Sequence, residues 1–418
     1  MQAFEYQNGE LFAEGVPLQQ IAAEFGTPTF VYSRAAITEA YQSFTGAFGD
    51  HPHRVCYAVK ANSNLAILSL LKSLGASFDI VSGGELARLQ AVGVAGDRIV
   101  FSGVGKQASE LQAALDANIS CFNVESEQEL YDLERLAEKS QKAAPVSLRV
   151  NPDVDAKSHP YISTGLKENK FGVSIKDARR LYEYAAQSNY LNVVGIDCHI
   201  GSQLLTIAPF LDALERVLEL VGELERGGIE LKHMDLGGGM GVKYEPEDEP
   251  LDIEAYASAV LQAASSFKQE LWFEPGRSIV ANAGVLLTRV INLKHNEGKD
   301  FCIIDAAMND LIRPALYQAW QGVRPVLQAS SSDKRNYDVV GPVCETGDFL
   351  AKQRDLAVAP GDLLVVDSSG AYGFAMSSNY NSRNRAAEVL VDGDQLHLIR
   401  RREDYQHQFS LEQAVSFH

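Results

Sequence analysis

The pattern of hydrophobic positions divides the chain into two parts. From about residue 54, short apolar, β-branched runs alternate with longer segments of helical period. The runs predicted to be strands are RVCYAV (54–59), SFDIV (77–81), RIVFS (98–102), ISCFNV (119–124), VSLRV (146–150), VVGIDCHI (193–200), HMDL (233–236) and LWFE (271–274). Strands that alternate with helices are expected to pair in parallel, because parallel neighbours need a long crossover between them.

The segments between these runs carry apolar residues at three- and four-residue spacing, which predicts amphipathic helices. They include NLAILSLLKSLG (64–75), SGGELARLQAVG (82–93), SEQELYDLERLAEK (126–139), IKDARRLYEYAAQ (175–187) and APFLDALERVLELVGELERGG (208–228). Eight strand–helix units over about 220 residues favour a (β/α)8 TIM barrel, which typically takes about 250 residues. A doubly wound open sheet has the same alternation and is the alternative.

The alternation stops after Glu274, and the rest of the chain has the pattern of β-strands. The expected strands are VLLTRVINL (285–293), DFCIIDA (300–306), YDVVGPV (337–343), DLLVVDS (362–368) and AEVLVDGDQLHLI (387–399), with turn signals between them. A strand near FEYQNGELFAEG (4–15) is expected to pair with them. We therefore predict an α/β barrel over residues 28–278 and a β-rich barrel or sandwich domain from residues 1–27 and 279–418.

Composition and charge exclude several classes of partner. The 418 residues are 46% hydrophobic and 22% charged, as in ordinary globular proteins, and the net charge of −18 argues against nucleic acid or an anionic membrane. The first residues have neither the basic start nor the apolar core of a signal peptide, and no apolar run approaches the roughly 20 residues of a membrane helix. The five cysteines are scattered and form no CxxC pair, which indicates reduced thiols in a cytoplasmic protein and no metal site.

Candidate chemistry collects where the predicted barrel strands end, since that face holds the active site in TIM barrels. Lys60, His199, Glu274 and Arg277 stand there and are unusual as turn residues. Glu274 closes an apolar strand, where an unpaired carboxylate would be costly. It could form an ion pair with Arg277 that caps the barrel. It could instead face a pyridinium nitrogen while Arg277 meets an anion.

The run DLGGGMG (235–241) follows the seventh predicted strand. Three adjacent residues without a Cβ allow main-chain N–H groups to approach a phosphate closely. Ser202, in GSQ (201–203), could add a hydroxyl to the same anion site. A tight strand-to-helix turn is the structural alternative for these glycines.

Taken together, several motifs resemble the diaminopimelate decarboxylase family, which belongs to the fold-type III, alanine-racemase-like class of pyridoxal-phosphate enzymes. They are YAVKAN (57–62), FDIVSGGE (78–85), CHIGSQ (198–203), DLGGGMG (235–241), EPGR (274–277), CETGD (344–348) and GAYGFAMSSNYNSR (370–383). The resemblance runs from about residue 25 to 395 in the family's order, and HPYISTGLKENKFG (159–172) resembles the family's loop after the fifth strand. One departure is Arg383-Asn384-Arg385, where the family commonly has Arg-Pro-Arg.

The resemblance implies a pyridoxal 5'-phosphate site. Lys60 matches the lysine that carries the cofactor as a Schiff base, Glu274 matches the acid at the pyridine nitrogen, and His199 matches the residue stacked on the ring. The full set implied to bind the cofactor is Lys60, Asp79, His199, Ser202, Gly237, Gly238, Gly239, Glu274, Pro275, Gly276, Arg277 and Tyr372. A protonated pyridine nitrogen makes the ring an electron sink.

The resemblance also implies the reaction, which is decarboxylation of meso-2,6-diaminopimelate to L-lysine and CO2, the last step of lysine biosynthesis. Cys344 matches the family's proton donor, which comes from the partner subunit, so a homodimer with shared active sites is expected. Residues implied to bind the distal end of the substrate are Arg277, Arg313, Tyr317, Glu345 and Tyr372. The bidentate geometry of arginine suits a carboxylate.

Three other functions remain open at this stage. The first is a related decarboxylase that acts on carboxynorspermidine, ornithine or arginine, substrates for which the distal-carboxylate set would not be needed. The second is an alanine-type racemase, which needs a base on each face of the α-carbon. The third is a non-catalytic cofactor-binding protein, against which the long β-rich domain with Cys344 argues.

Overall fold

The computed structural model describes residues 3–154, 169–328 and 334–417. The strands are β1 (Phe4–Gln7), β2 (Glu10–Ala13), β3 (Val16–Pro17), β4 (Thr29–Ser33), β5 (His53–Ala58), β6 (Ser77–Ile80), β7 (Ile99–Phe101), β8 (Cys121–Val124), β9 (Ala144–Asn151), β10 (Val173–Ser174), β11 (Leu191–Asp197), β12 (His233–Asp235), β13 (Glu270–Phe273), β14 (Gly284–Asn296), β15 (Lys299–Ile304), β16 (Val323–Pro325), β17 (Arg335–Val340), β18 (Phe349–Leu356), β19 (Leu363–Val366), β20 (Ala387–Asp392) and β21 (Gln395–Arg400). The helices are α1 (Leu18–Phe25), α2 (Arg34–Gly46), α3 (Leu65–Ser73), α4 (Gly83–Ala91), α5 (Ala108–Asp116), α6 (Glu127–Ser140), α7 (Ile175–Gln187), α8 (Ala208–Arg226), α9 (Ile253–Ala263), α10 (Arg277–Val280), α11 (Arg313–Tyr317) and α12 (Tyr405–Phe409). Most of the HPYISTGLKENKFG motif, residues 159–168, lies outside the described ranges.

The chain divides into two compact units, of which one comprises residues 38–242 and 249–279. Its strands β5, β6, β7, β8, β9, β11, β12 and β13 pair in parallel, and pairing of β8 with β9 closes them into a barrel. Each strand except the last is followed by one of the helices α3 to α9. All eight predicted barrel strands are present, so the prediction of a (β/α)8 barrel is confirmed.

Helices of the barrel begin where their sequences provide a cap. The side chains of Ser82, Ser126, Ser174 and Asp252 each accept a hydrogen bond from a main-chain N–H of the first turn. Such caps satisfy donors that have no partner within the helix. The strands have both faces covered, which explains their continuous apolar runs. No helix among the described residues is both long and apolar enough to cross a membrane.

The other unit comprises residues 1–37, 243–248 and 280–418. Its main sheet runs β18-β17-β15-β14-β4-β20-β21, with β19 joined to β14 and β16. Its core contains valines from several of these strands and residues of α1. The predicted β-rich domain is therefore present, and its remaining strands form the separate sheet β1-β2-β3.

The structure differs from the sequence-based expectation at three places. Residues 28–37 were expected in the barrel, but β4 pairs with β14 and β20 in the β-rich sheet. The expected N-terminal strand is a hairpin of β1 and β2, and it meets the later chain through Leu11 N–H and the carbonyl of Val326, 2.8 Å apart. Strand β18 was missed because charged and polar residues interrupt its apolar positions.

Candidate active site

Lys60 lies at the carboxyl end of β5, on a single 3-10 turn of residues Val59–Ala61. Its Nζ is 2.6 Å from Oδ2 of Asp79, which stands in the neighbouring strand β6 and is fully buried. The Lys60 side chain remains 39% exposed, so its amine is accessible from outside the barrel. Lysine and its counterion therefore stand side by side at the end of the barrel where TIM-barrel enzymes carry their chemistry.

Three buried carboxyl groups from three consecutive strands meet near this point. Oxygens of Asp197, Asp235 and Glu274 lie within 4.8 Å of one another. Burial raises the pKa of Asp235 to about 7 and that of Glu274 well above its usual range, and repulsion from Asp235 raises Glu274 further. The group therefore shares protons instead of carrying three full charges. Chemically, it could hold a divalent cation or face a cationic ring nitrogen.

Neutral donors approach Glu274 from two other strands. The Ser102 hydroxyl donates to Oε1 of Glu274 over 3.3 Å, and the Asn123 amide donates to the same oxygen over 3.5 Å. Asn123 also donates to the Ser102 oxygen over 3.2 Å. These contacts fix the direction of the Glu274 carboxyl group inside the barrel.

A buried arginine balances part of this negative charge. Arg149, at the end of β9, is 3.0 Å from a carboxylate oxygen of Glu125 and 4.0 Å from one of Asp197. Burial of a charged group is costly without such partners. Burial lowers the pKa of His199 well below its usual value, and the charges of Arg149 and Lys60 lower it further. The imidazole of His199 is therefore neutral at physiological pH.

The glycine run after β12 requires residues without a Cβ. A Cβ on Gly238 would lie 2.2 Å from the carbonyl oxygen of Glu274, and one on Gly239 would lie 2.4 Å from that of Gly201. Gly237 and Gly239 also have positive φ angles, +65° and +108°, which side chains rarely adopt. Close packing of three loops thus explains the run.

Two main-chain N–H groups of this run already have acceptors within the chain. Gly237 donates to Oδ1 of Asp235 over 2.8 Å, and Gly238 donates to Nδ1 of His199 over 3.1 Å. The second bond makes Nδ1 an acceptor, so the proton of the neutral imidazole is on Nε2. An anion at this loop would therefore draw on neighbouring donors as well. Two such donors are the guanidinium of Arg277 and the hydroxyl of Ser202. They lie side by side, since the guanidinium donates to the hydroxyl oxygen over 3.0 Å.

Within the β-rich unit, Arg313 and Tyr317 occupy the first and last positions of α11. Arg313 is 6% exposed, and its guanidinium lies over the ring of Tyr244, 4.2 Å from the ring centre. With the Gln321 amide oriented so that both of its polar atoms have partners, its oxygen accepts from Arg313 over 2.6 Å. Arg313 is thus held as a planar, positioned cation, the form that suits carboxylate recognition.

Cys344 and Glu345 follow β17 in the same unit, and both are exposed. The remaining cysteines, Cys56, Cys121, Cys198 and Cys302, are buried, which distinguishes Cys344 as the accessible thiol of the chain.

Tyr372 has a φ of +56°, an uncommon conformation for a residue with a side chain and one that often marks functional positions. Pro275 and Gly276 lie in the barrel unit beside Glu274, and the Pro275 carbonyl accepts from Ala58 N–H over 3.1 Å.

The barrel residues fit pyridoxal phosphate. The cofactor needs an amine to bind its aldehyde, an acid at its ring nitrogen and a cradle for its phosphate. Lys60, Glu274 and the glycine run supply these groups from β5, β13 and β12, three strands of one barrel. Burial, and then repulsion from Asp235, raises the pKa of Glu274, and a pyridinium beside it would favour its charged form.

Sequence reasoning missed two members of the carboxyl group, Asp197 and Asp235. Both are the last residue of their strand, two residues before the selected positions His199 and Gly237. The available signal was an aspartate inside an otherwise apolar run, VVGIDC or HMDL, which predicts a buried acid that needs partners.

Comparison with known proteins gives a family for the barrel unit. The family model described as pyridoxal-dependent decarboxylase, pyridoxal binding domain, matches residues 34–281. The fold is thus that of the pyridoxal-dependent decarboxylases.

Individual relatives narrow the assignment. The chain is 60% identical over 415 residues to diaminopimelate decarboxylase of Pseudomonas aeruginosa, covering 99% of this chain and 100% of the relative. Diaminopimelate decarboxylase from Helicobacter pylori complexed with L-lysine matches with a TM-score of 0.91 and 43% identity, over 94% of this chain and 99% of that chain. The enzyme of M. jannaschii in co-complex with L-lysine matches with a TM-score of 0.94 and 37% identity, over 99% and 98% of the two chains. The chain belongs to the diaminopimelate decarboxylase family.

Proposed function

We propose that the protein is a pyridoxal-phosphate-dependent carboxy-lyase that converts meso-2,6-diaminopimelate to L-lysine and CO2. The observation that carries this proposal is the meeting of Lys60, Asp79 and Glu274 at one end of the barrel in a chain of this family. A lysine for the aldehyde and an acid for the ring nitrogen are the two groups the cofactor cannot do without.

In this proposal, the barrel unit binds the cofactor. Lys60 would hold it as a Schiff base through Nζ, the atom that lies 2.6 Å from Oδ2 of Asp79. Glu274 pairs with the ring nitrogen, and the neutral imidazole of His199 offers a ring face. We assign the phosphate to Ser202, Gly237, Gly238, Gly239 and Tyr372, and we assign Pro275, Gly276 and Arg277 to the cofactor as well.

The reaction exchanges a carboxylate on the α-carbon for a proton. When bound, the cofactor ring withdraws the electron pair that CO2 leaves behind. Cys344 donates the proton to the α-carbon and recovers one from water. Because Cys344 is exposed in the single chain, we expect a homodimer in which Cys344 of one subunit completes the site of the other. We expect the enzyme to work in the cytoplasm, where its scattered cysteines stay reduced.

The distal end of the substrate carries a second carboxylate and a second ammonium group. Arg313 and Tyr317, with Arg277 and Tyr372, are proposed to bind the carboxylate, and Glu345 the ammonium. The position of the Arg313 guanidinium over Tyr244 supports this role, because a pre-oriented planar cation can bind a carboxylate with two hydrogen bonds.

Absorption spectroscopy tests the cofactor assignment. The purified protein should show a visible band above about 400 nm, typical of a protonated Schiff base, that disappears on reduction with borohydride. Lys60→Ala should lack the band, whereas Lys139→Ala, an exposed lysine of α6, should retain it. A colourless protein that binds no pyridoxal phosphate would contradict the proposal.

Product analysis tests the reaction. Diaminopimelate should yield CO2 and L-lysine in equal amounts, while ornithine, arginine and carboxynorspermidine should yield little CO2. Preferred release of CO2 from one of those three substrates would replace the proposed substrate. Racemised amino acid without CO2 would contradict decarboxylation altogether.

A further inference from the structure

The turn that carries Cys344 and Glu345 is fastened to the β-rich unit at its ends. The buried carboxylate of Asp348 accepts from the N–H of Val343 and from that of Met308, each over 2.7 Å. The Asp348 N–H in turn donates to the Glu345 carbonyl over 3.1 Å. These bonds close the turn but leave the main chain of Cys344 and the side chain of Glu345 to be fixed by other contacts.

The segment Asn379–Arg385, here called the support loop, makes both contacts. The side-chain oxygen of Asn381 accepts from the main-chain N–H of Cys344 over 3.1 Å. The hydroxyl of Tyr380 donates to Oε1 of Glu345, and this bond raises the pKa of the Tyr380 phenol. Two consecutive residues of the support loop thus hold two consecutive residues of the turn.

The support loop is itself fastened to the interior of the β-rich unit. Arg383 donates to the side-chain oxygen of Asn309 over 3.0 Å, and Asn309 is only 2% exposed. The main chain of Ser378, just before the loop, donates to the Asn309 carbonyl over 2.9 Å. A buried asparagine therefore anchors both ends of the segment that reaches Cys344.

The last part of the chain covers the other side of the support loop. Glu403 accepts from the Asn379 amide over 2.7 Å and from the Arg385 N–H over 3.1 Å. Gln408, in α12, donates to the Asn384 side chain over 2.5 Å.

The backbone of Asn381 suits this purpose. Its φ is +54°, in the left-handed region that asparagine tolerates better than most residues with a side chain. Its short amide can then accept from the neighbouring turn. A residue that served only to reverse the chain would not need an acceptor aimed at Cys344.

We propose that Asn381 and Tyr380 are positioning residues of the decarboxylation reaction. Asn381 fixes the main chain of Cys344 so that its thiol meets one face of the α-carbon, and Tyr380 orients the Glu345 carboxylate toward the distal ammonium. This inference rests on the proposed function, which assigns those roles to Cys344 and Glu345. The two residues should therefore have different kinetic signatures, Asn381 in kcat and Tyr380 in KM.

A double-mutant cycle tests the role of Asn381. The variants are Asn381→Gly, which removes the acceptor but tolerates the positive φ, and Asn381→Asp, which keeps the acceptor. The matched control is Asn8→Gly, an exposed asparagine of the same unit with a φ of +52°. Each is made in wild-type and Cys344→Ala backgrounds. Turnover of diaminopimelate in D2O gives kcat and the configuration of deuterium on the carbon that lost CO2.

The expected result is specific to proton delivery. Asn381→Gly should lower kcat about tenfold, part of the 10²–10⁴-fold that a positioned acid contributes, and should deliver deuterium to both faces. Asn381→Asp should largely keep the rate and the single configuration, and Asn8→Gly should match the wild type. In the Cys344→Ala background, Asn381→Gly should have no further effect.

The outcomes that overturn the inference differ from those that overturn the proposed function. If Cys344→Ala loses rate and configuration while Asn381→Gly keeps both, the inference alone is wrong. Equal slowing by Asn381→Gly in both backgrounds would also overturn it, because the effect would then be on folding. If Cys344→Ala keeps the wild-type rate and configuration, the assigned proton donor is wrong, and the proposed mechanism with it.

Tyr380→Phe tests the second half of the inference. Loss of the hydroxyl should raise KM for diaminopimelate about tenfold, as expected for one hydrogen bond to a charged group, with kcat changed less than about twofold. Tyr405→Phe, an exposed tyrosine of the same unit, should leave both constants unchanged. An unchanged KM in Tyr380→Phe would refute the orientation of Glu345 by this phenol.

Discussion

Gly238 and Glu274 are in main-chain contact: a Cβ on Gly238 would lie 2.2 Å from the carbonyl oxygen of Glu274. Beside this contact, the Glu274 N–H donates to the Gly237 carbonyl over 2.8 Å. The glycine run therefore sets the position of the strand end that carries the proposed acid at the ring nitrogen. A shift of the proposed phosphate loop would therefore also move the proposed acid at the ring nitrogen.

Replacing Gly238 by alanine should therefore weaken cofactor binding. The added methyl group must push the Glu274 main chain away, since a 2.2 Å approach is impossible. We expect affinity for pyridoxal phosphate to fall at least about tenfold, which corresponds to about 1.4 kcal/mol. Fluorescence titration of the cofactor-free variant measures this. Gly105→Ala, where nothing lies within 4 Å of the added Cβ, should bind as the wild type does, and normal binding by Gly238→Ala would contradict the linkage.

Glu274→Gln should separate catalysis from cofactor binding. Glutamine can still accept from Ser102, so the cofactor should remain bound, but it cannot supply the negative charge that keeps a ring nitrogen protonated. We expect kcat to fall about 100-fold, within the range of a lost electrostatic contact to reacting groups. Steady-state rates with a matched visible spectrum measure it. Glu254→Gln, on the exposed side of α9, is the control, and a twofold effect or less at Glu274 would refute its role.

Arg313→Ala should affect the substrate and leave the cofactor in place. Removing the guanidinium over Tyr244 deletes the proposed partner of the distal carboxylate. We expect KM for diaminopimelate to rise at least about tenfold, because a charged hydrogen-bonded pair is worth about 1.5–3 kcal/mol. The visible cofactor band should not change. Arg335→Ala, an exposed arginine of the same unit, should behave as the wild type, and an undiminished rate in Arg313→Ala would refute the carboxylate site.

Asp310 should make stability depend on pH. Burial raises its pKa to about 7, above the value of about 3.9 in an unfolded chain. Between these two pH values the folded state binds one proton more than the unfolded state. The contribution of Asp310 to the free energy of unfolding is therefore complete below about pH 4 and is lost as the pH rises to about 7. Asp310→Asn removes the titration but keeps an acceptor for the Ala307 N–H.

Urea unfolding of wild type and Asp310→Asn at pH 5, 6, 7 and 8 measures this effect. The free energy of unfolding of the variant minus that of the wild type should increase by up to about 1.4 kcal/mol per pH unit between pH 5 and 7. Above pH 7 this difference should stay constant. A difference that does not change with pH would show that Asp310 titrates normally in the folded protein.

The strands of the barrel were predictable because parallel strands covered on both faces read as continuous apolar runs. Strand β18 was not, since its exposed positions hold Lys352, Gln353 and Asp355. The sequence pattern also could not assign β4 to the β-rich sheet. Its residues Thr29–Ser33 are fully buried in either location, and only pairing with β14 and β20, hundreds of residues later, distinguishes them.

The sequence by itself determined the alternation of strands and helices, and with it which residues stand at strand ends, because local periodicity follows from backbone geometry. It therefore identified Lys60 and Glu274. Only the tertiary structure decided that Asp197 and Asp235 join Glu274, and that Asn381 reaches Cys344. Those meetings depend on sheet closure and loop packing between residues far apart in the chain, which no local pattern encodes.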